Sequence, residues 1–346
     1  MTKQSEPSRT ELEQLGEFGL IERLTRQIQL VRRSSLLGVG DDAAVIKPEQ
    51  ELTLVTSDML LEGIHFDLSY TPLKHLGYKS VAVNVSDVAA MNGQCHQITV
   101  NIGVSNRFSI EALEELYQGV HLACSHYQCD LVGGDTTSSM TGLTISVTAI
   151  GVVSPDKLVK RSGAREYDLI CVSGDLGAAY MGLQVLEREK QVFLTNTEMQ
   201  PQLEEYEYIV GRQLKAEART DVVQWLADSG IVPTSMIDVS DGLASDLLHI
   251  CRQSGVGASI YEDKLPIEAA TTDAALEFKL SPAMVSLHGG EDYELLFTVD
   301  QKHHQAVENQ PGISIIGHIT SAVQGAKLVA SSGEQLNVEA QGWKHF

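Results

Sequence analysis

The residues of this chain whose types and spacing point to chemistry are aspartates. A largely apolar run ends repeatedly in a small residue and then Asp: Leu52–Ser57 before Asp58, Val81–Ser86 before Asp87, Leu131–Gly134 before Asp135, Leu169–Gly174 before Asp175, and Met236–Ser240 before Asp241. A single such Asp is a helix cap or turn residue, and Asp175, just ahead of an expected helix, is read as a cap. The rest, joined by Asp238 and by Asp41 and Asp42 of Gly38-Val39-Gly40-Asp41-Asp42, make a set. In compact α/β packing, apolar elements bring their ends to a shared edge where ligands sit. Carboxylates gathered there repel: at ~5 Å and an effective dielectric of about 20, each pair costs roughly 3 kcal/mol. Protonation, separation or cations relieve that repulsion. Oxygen donors without His or Cys suit Mg²⁺ or Ca²⁺ rather than zinc, and the absence of EF-hand spacing favours Mg²⁺.

Magnesium usually takes a few carboxylates and completes its shell with substrate phosphates. ATP alone would be repelled by the set, whereas several Mg²⁺ ions would bridge it to the carboxylates. Gly38–Gly40 and Gly133–Gly134 would let backbone N–H groups approach phosphate, although a tight turn is the simpler reading of either pair alone. There is no Gly-Lys-Ser/Thr phosphate loop, full dinucleotide fingerprint or protein-kinase His-Arg-Asp. Residue types and spacing thus reach a magnesium-dependent, phosphate-handling enzyme and leave its substrate open.

The elements that must position these residues alternate along 346 residues, a length expected to hold two domains. Helices are expected at Glu17–Gln29, Leu73–Met91, near Leu176–Arg188 and at Arg212–Asp228, with another capped by Ser109 and carrying Glu111 in its first turn. Strands are expected at Leu52–Thr56, Gln97–Val104, Leu143–Val153 and Leu169–Ser173. Residues 1–15 read as a disordered tail. Ser154-Pro155-Asp156-Lys157 is the best turn signal in mid-chain, dividing an N-terminal domain, 16–154, from a C-terminal one, 155–346. Some strand runs lie close together, so a mixed-sheet α+β arrangement competes with a doubly wound one. The net charge of −21 argues against nucleic acid. No long apolar run suggests a membrane span, and the five scattered cysteines read as reduced cytoplasmic thiols.

From Gly16 onward the chain resembles the thiamine-monophosphate kinases. The resemblance is carried by Gly16-Glu17-Phe18, Gly38-Val39-Gly40-Asp41-Asp42-Ala43-Ala44, Thr56-Ser57-Asp58-Met59-Leu60, Gly63-Ile64-His65-Phe66 and Ala82-Val83-Asn84-Val85-Ser86-Asp87-Val88-Ala89-Ala90-Met91. It continues through Gly133-Gly134-Asp135-Thr136-Thr137, Lys160-Arg161-Ser162-Gly163-Ala164, Ile237-Asp238-Val239-Ser240-Asp241-Gly242-Leu243 and Gly289-Gly290-Glu291-Asp292-Tyr293-Glu294-Leu295. Met59-Leu60-Leu61 departs from the Thr-Leu-Val common in the family and leaves the matched ligands untouched.

The resemblance implies two α+β domains, the N-terminal sheet pairing with its twin in a homodimer and the active site lying in a cleft between domains. It implies ATP-dependent phosphorylation of thiamine monophosphate to thiamine diphosphate, the last step of that cofactor's synthesis, by direct in-line transfer with several Mg²⁺ ions. By position, Asp42, Asp58, Asp87, Asp135, Asp238 and Asp241 are implied magnesium ligands, with Thr56 and Ser57 adding oxygen contacts. Tyr117, Gly134, Asp135, Arg161 and Ser240 are implied ATP contacts; His65, Glu291 and Trp343 are implied substrate contacts. Asp41 falls beside a matched ligand. Arg161 can fork onto phosphate, and Trp343 can offer a ring face to a cationic thiazolium; a linker Arg and a tail anchor are the plain alternatives. Rivals are an ATP-dependent synthetase on the same fold and a regulator that binds Mg–ATP without consuming it. Selenophosphate synthesis expects a reactive Cys near the N-terminus, and the first here is Cys95.

Overall fold

Alternation of larger apolar and small residues along Thr144–Val153 gives a strand that buries every second side chain, and its neighbours follow the same logic. The computed structural model describes residues 35–37, 41, 44–47, 51–105 and 107–340. In the first half these form β1 (Ser35–Leu37), β2 (Ala44–Ile46), β3 (Leu52–Leu61), α1 (Leu73–Ala90), β4 (Gln94–Val104), α2 (Ile110–Tyr127), β5 (Asp130–Ser138) and β6 (Thr144–Val153). The sheet order is β1-β2-β3-β6-β4-β5. Only β4 and β5 pair in parallel, as α2 crossing between them requires. Ser109 caps α2 as expected, its hydroxyl accepting from the Ala112 N–H at 3.2 Å.

Helix α1 is buried on almost every side. It lies so close to α2 that a Cβ on Gly77 would stand 1.9 Å from the Leu116 carbonyl oxygen. Its far end also enters the core of the second half, where Ala89 and Ala90 pack with Val222, Leu226, Met236 and Phe297.

The second half comprises β7 (Leu169–Ser173), α3 (Ala178–Thr195), α4 (Glu207–Leu214), α5 (Thr220–Asp228), β8 (Ser235–Asp238), α6 (Leu243–Ser254), β9 (Val256–Tyr261), α7 (Ala269–Glu277), α8 (Pro282–His288), β10 (Leu295–Val299), α9 (His304–Glu308), β11 (Ile313–Ser321), β12 (Ala326–Val329) and β13 (Gln335–Asn337). Its sheet runs β13-β12-β9-β11-β7-β10-β8. Central β7 and β10 are buried throughout, and one parallel pair, β12 with β9, makes the sheet mixed. The architecture is α+β with two mixed sheets.

The mid-chain turn forms, the Lys157 N–H donating to the Ser154 carbonyl at 2.9 Å. The expected helix over Arg212–Asp228 is instead two. Between α4 and α5 the buried Ala216 and Ala218 pack inward, and the Ala218 N–H donates to the Tyr127 hydroxyl of α2 at 2.9 Å. This long-range bond takes a donor that a continuous helix would use itself. Asp175 is not a cap either. The first turn of α3 is met by Asp292, which accepts from the Gly177 N–H at 2.8 Å, while Asp175 accepts from the Tyr208 hydroxyl. The expected helix Glu17–Gln29, the tail and Gly38–Gly40 lie outside the described residues.

Candidate active site

Two of the matched aspartates lie inside elements rather than at their ends. Asp58 lies within β3 and Asp87 within α1, and both residues line the same cleft. Period-two alternation puts Thr56 and Asp58 on one face of β3. The Thr56 hydroxyl donates to Asp87 Oδ2 at 2.5 Å. The Asp58 N–H donates to Oδ1 of the fully buried Asn84 at 3.0 Å, and Asn84 is anchored by donating to the Ser80 carbonyl one turn earlier at 3.0 Å. Helix α1 thus holds the Asp58 backbone, and β3 in turn holds the Asp87 carboxylate.

From the other half, β8 delivers Asp238 at its last residue, and the Ser86 hydroxyl of α1 donates to Asp238 Oδ2 at 2.8 Å. Ser240 and Asp241 follow directly. Next to them runs Gly289–Tyr293, held by the Glu291 N–H donating to the Ser240 carbonyl at 2.7 Å and the Tyr293 N–H to the Val239 carbonyl at 2.9 Å. Thr56, Asp58, Asp87, Asp238, Ser240, Asp241, Glu291 and Tyr293 line one cleft of about 1040 Å³ that also takes in Asp41, His65, Arg161 and Asp246.

The buried Tyr293 phenol lies in the field of the cleft carboxylates. Burial pushes its pKa well above the ordinary 10, and the charges of Glu291, Asp58, Asp238 and Asp87 push it further. Arg161 faces Asp41, with Nε 3.8 Å from Oδ1. Its segment is tied to the end of α6 by the Gly163 and Ala164 N–H groups, which donate to Ser254 Oγ at 3.1 and 3.2 Å. His65 Nδ1 accepts from the Leu61 N–H at 3.0 Å, so the neutral ring carries its proton on Nε2 and presents a donor there. At the far end of the cleft, Lys190 donates to Asp67 Oδ2 at 2.6 Å and the Tyr70 hydroxyl to Glu187 Oε1 at 2.7 Å. Burial raises Asp67, but the bonds from Lys190 and Ser69 and the Lys190 charge together outweigh it and hold the carboxyl at about 2.

Several implied residues lie elsewhere. The Ser57 side chain is on the opposite face of β3, donating to the Val147 carbonyl at 3.1 Å and lying 2.9 Å from Thr148 Oγ1, as strand alternation demands. Gly134 and Asp135 are on exposed β5, at the sheet edge, and Asp135 Oδ1 accepts from the Thr136 N–H at 2.8 Å. Tyr117 packs along α2 with its ring 6.3 Å from that of His121. None of these four lines the cleft. Asp42 and Trp343 fall outside the described residues. Lys79, Asn84 and Tyr293 belong to the site and were missed. The signal for Lys79 was a single Lys inside the largely apolar stretch Leu76–Met91.

The two halves match two family models, "AIR synthase related protein, N-terminal domain" over residues 40–153 and "AIR synthase related protein, C-terminal domain" over residues 168–327. A thiamine-monophosphate kinase of Aquifex aeolicus (strain VF5) is 33% identical over 336 residues, covering 97% of this chain and 99% of the relative. The chain belongs to the thiamine-monophosphate kinase family. The Escherichia coli (strain K12) thiamine-monophosphate kinase is 32% identical over 342 residues, covering 96% of this chain and 98% of its own. A solved structure described as AaThiL complexed with AMPPCP and TMP superimposes with a TM-score of 0.83 at 32% identity, covering 98% of this chain and 99% of that one.

For a member of this kinase family the donor chemistry at the cleft is suited to Mg²⁺: hydroxyl and carboxylate oxygen, with no sulfur among the matched ligands. Among the described residues, no three His, Cys, Asp or Glu side chains approach closely enough to hold one ion by themselves. That spread fits ions taking one or two carboxylates each and completing their shells with water and phosphate. No helix among the described residues is long and apolar enough to cross a membrane.

Proposed function

We propose that this chain transfers the γ-phosphoryl group of ATP to the phosphate of thiamine monophosphate, giving thiamine diphosphate and ADP. The observation that carries this reading is the convergence of Asp58 and Asp87 from one half and Asp238 and Glu291 from the other on one cleft, the halves joined there by the Ser86–Asp238 bond. It is supported by full-length likeness to thiamine-monophosphate kinases and to a structure holding AMPPCP and TMP. A carboxylate set that would repel two phosphate-bearing substrates makes sense only with cations between them.

Thr56, Asp58, Asp87, Asp238 and Asp241 are the residues proposed to hold several Mg²⁺ ions, with Asp42 assigned by resemblance alone. Bound there, Mg²⁺ would neutralise the phosphate charge of the substrates. Thr56 and Ser86 restrict the Asp87 and Asp238 carboxylates beforehand and Asn84 holds the Asp58 backbone, so little reorganisation is needed when the substrates arrive. Arg161 and Ser240, which line the cleft, are assigned to the nucleotide phosphates, and the His65 Nε2–H to an acceptor phosphate oxygen. The acceptor phosphate is already anionic near neutral pH, so in-line attack needs no strong general base and no covalent enzyme intermediate. Gly134, Asp135, Tyr117, Ser57 and Trp343 keep ligand roles on the resemblance alone.

The exposed edge strand β5 supports pairing with a second copy in a homodimer. Five free, buried thiols support a cytoplasmic setting. The turn at 154–157 is proposed as the boundary between domains 16–154 and 155–346.

The test quantifies ADP and thiamine diphosphate together from ATP, Mg²⁺ and thiamine monophosphate. Equimolar products are expected, with kcat reduced at least 100-fold in Asp58→Asn and turnover abolished by chelating Mg²⁺. Binding of ATP without thiamine diphosphate would transfer the cleft to the regulator or synthetase reading.

A further inference from the structure

Lys79 is nearly fully buried in the body of α1, yet it reaches Glu291 and borders the cleft. Its Nζ donates to Glu291 Oε2 at 2.7 Å and to the Gln213 carbonyl at 3.1 Å. The Gln213 Nε2 donates to the same Glu291 oxygen at 3.1 Å. Three separate elements, α1, the last turn of α4 and the Gly289–Tyr293 segment, therefore meet on one carboxylate oxygen. Glu291 sits at φ +58, a left-handed conformation unfavourable for a side-chain-bearing residue, with its N–H bound to Ser240.

A buried ion pair is a weak device for stability, because an apolar pair of similar volume often does as well or better. What the arrangement does supply is position. Without a fixed cation, Glu291 would be pushed away by Asp58, Asp87 and Asp238, the carboxylates that crowd Tyr293 with it. We infer that Lys79, assisted by Gln213, is a positioning residue that clamps Glu291 as the carboxylate recognising the organic half of the acceptor. This rests on the kinase reading above and adds to it which end of which substrate the pair serves. A carboxylate repels phosphate and accepts from N–H donors or faces a cationic ring. Glu291 thus fits the amino-bearing, positively charged heterocyclic part of thiamine monophosphate, not its phosphate and not the triphosphate of ATP.

The test is steady-state kinetics with each substrate varied in turn, on wild type, Lys79→Met, Lys79→Arg, Gln213→Leu, Glu291→Gln and the double variant Lys79→Met/Glu291→Gln. For Lys79→Met, KM for thiamine monophosphate should rise at least 10-fold while KM for ATP stays within 2-fold. Lys79→Arg should recover part of that loss, and Gln213→Leu should show a smaller shift of the same kind. The double variant should be no worse than the worse single one, because both remove one interaction. Equal effects on the two substrates, or additive effects in the double variant, would overturn the clamp. Should Lys79→Met fail to fold, the Gln213→Leu and Lys79→Arg values decide: an unchanged KM for thiamine monophosphate in both overturns it. A wild type that forms no thiamine diphosphate would sink the kinase reading itself and the clamp with it, whereas an active wild type with unshifted variants sinks the clamp alone.

Discussion

Gly133 and Gly134 stand side by side yet answer to different constraints. A Cβ on Gly134 would come 1.8 Å from the Val100 carbonyl oxygen of the paired strand, at φ +154, whereas on Gly133 it would meet only Thr99 Cγ2 at 3.8 Å. Gly134→Ala must push β5 off β4 and should cost about 1–3 kcal/mol, while Gly133→Ala should stay below about 1 kcal/mol. Urea unfolding of both variants checks this, and equal losses would remove the close-approach explanation. The pairing of small residue with Asp was legible in the sequence because both types are rare inside apolar runs. Lys79 was not legible as a site residue. A lone Lys in a helix reads as a solvent-facing side chain, and its burial depends on Gln213 and Glu291, far away in the chain. Ser57 was misplaced for a related reason: a motif counts neighbours, but a strand sends them to opposite faces.

Elements were legible wherever periodicity was local, and they failed where a distant partner decided. The strand Leu169–Ser173 and the helix beginning at Leu73 follow from their own residues. The break between α4 and α5 does not. It follows from Tyr127 taking the Ala218 N–H and from Glu294, to which both Arg212 and Arg219 donate. The cap of α3 likewise comes from Asp292 rather than from the adjacent Asp175. That cap carries a pH signature. Full burial raises the Asp292 pKa from its ordinary 3.8 to about 7, aided by Glu294 and Asp175 and opposed by the Gly177 N–H bond and Arg212. Between those values the folded state holds a proton that the unfolded chain has lost. The stability from that proton is complete below about pH 4 and fades as pH rises through about 7. Asp292→Asn keeps an oxygen for the Gly177 N–H and cannot ionise. Its stability relative to wild type should therefore climb from pH 4 to 7 and level off above, as read from urea midpoints across that range. A difference independent of pH would show that Asp292 is ionised throughout.

At the scale of the whole molecule, α1 joins two halves that each bring carboxylates but few uncompensated cations. Asp41, Asp58, Asp87, Asp238, Asp241, Asp246 and Glu291 line the cleft, against Arg161, Lys79 engaged with Glu291, and Lys190 engaged with Asp67. The chain as a whole carries −21. ATP approaching alone meets like charge at long range and again at contact, and each pair at ~5 Å is worth roughly 3 kcal/mol. Nucleotide and Mg²⁺ should therefore stabilise the protein jointly rather than independently. A ligand at a hundredfold excess over its Kd adds about 2.7 kcal/mol to folding stability, which for a chain of this size appears as a few degrees in Tm. In thermal melts, ATP with chelator should shift Tm by less than 1 °C, on the order of a tenth of the bound ligand's effect. Mg²⁺ alone should give a small rise through relief of carboxylate repulsion. The two together should exceed the sum of the separate shifts, and Asp87→Asn should weaken that excess while narrowing the gap between ATP with and without Mg²⁺. The narrowing is the sharper signature, because a variant damaged only in packing would lower all four melts alike. A full shift by ATP in chelator would mean the carboxylates do not govern nucleotide entry, and the division of labour between acidic cleft and bridging cation would have to be abandoned.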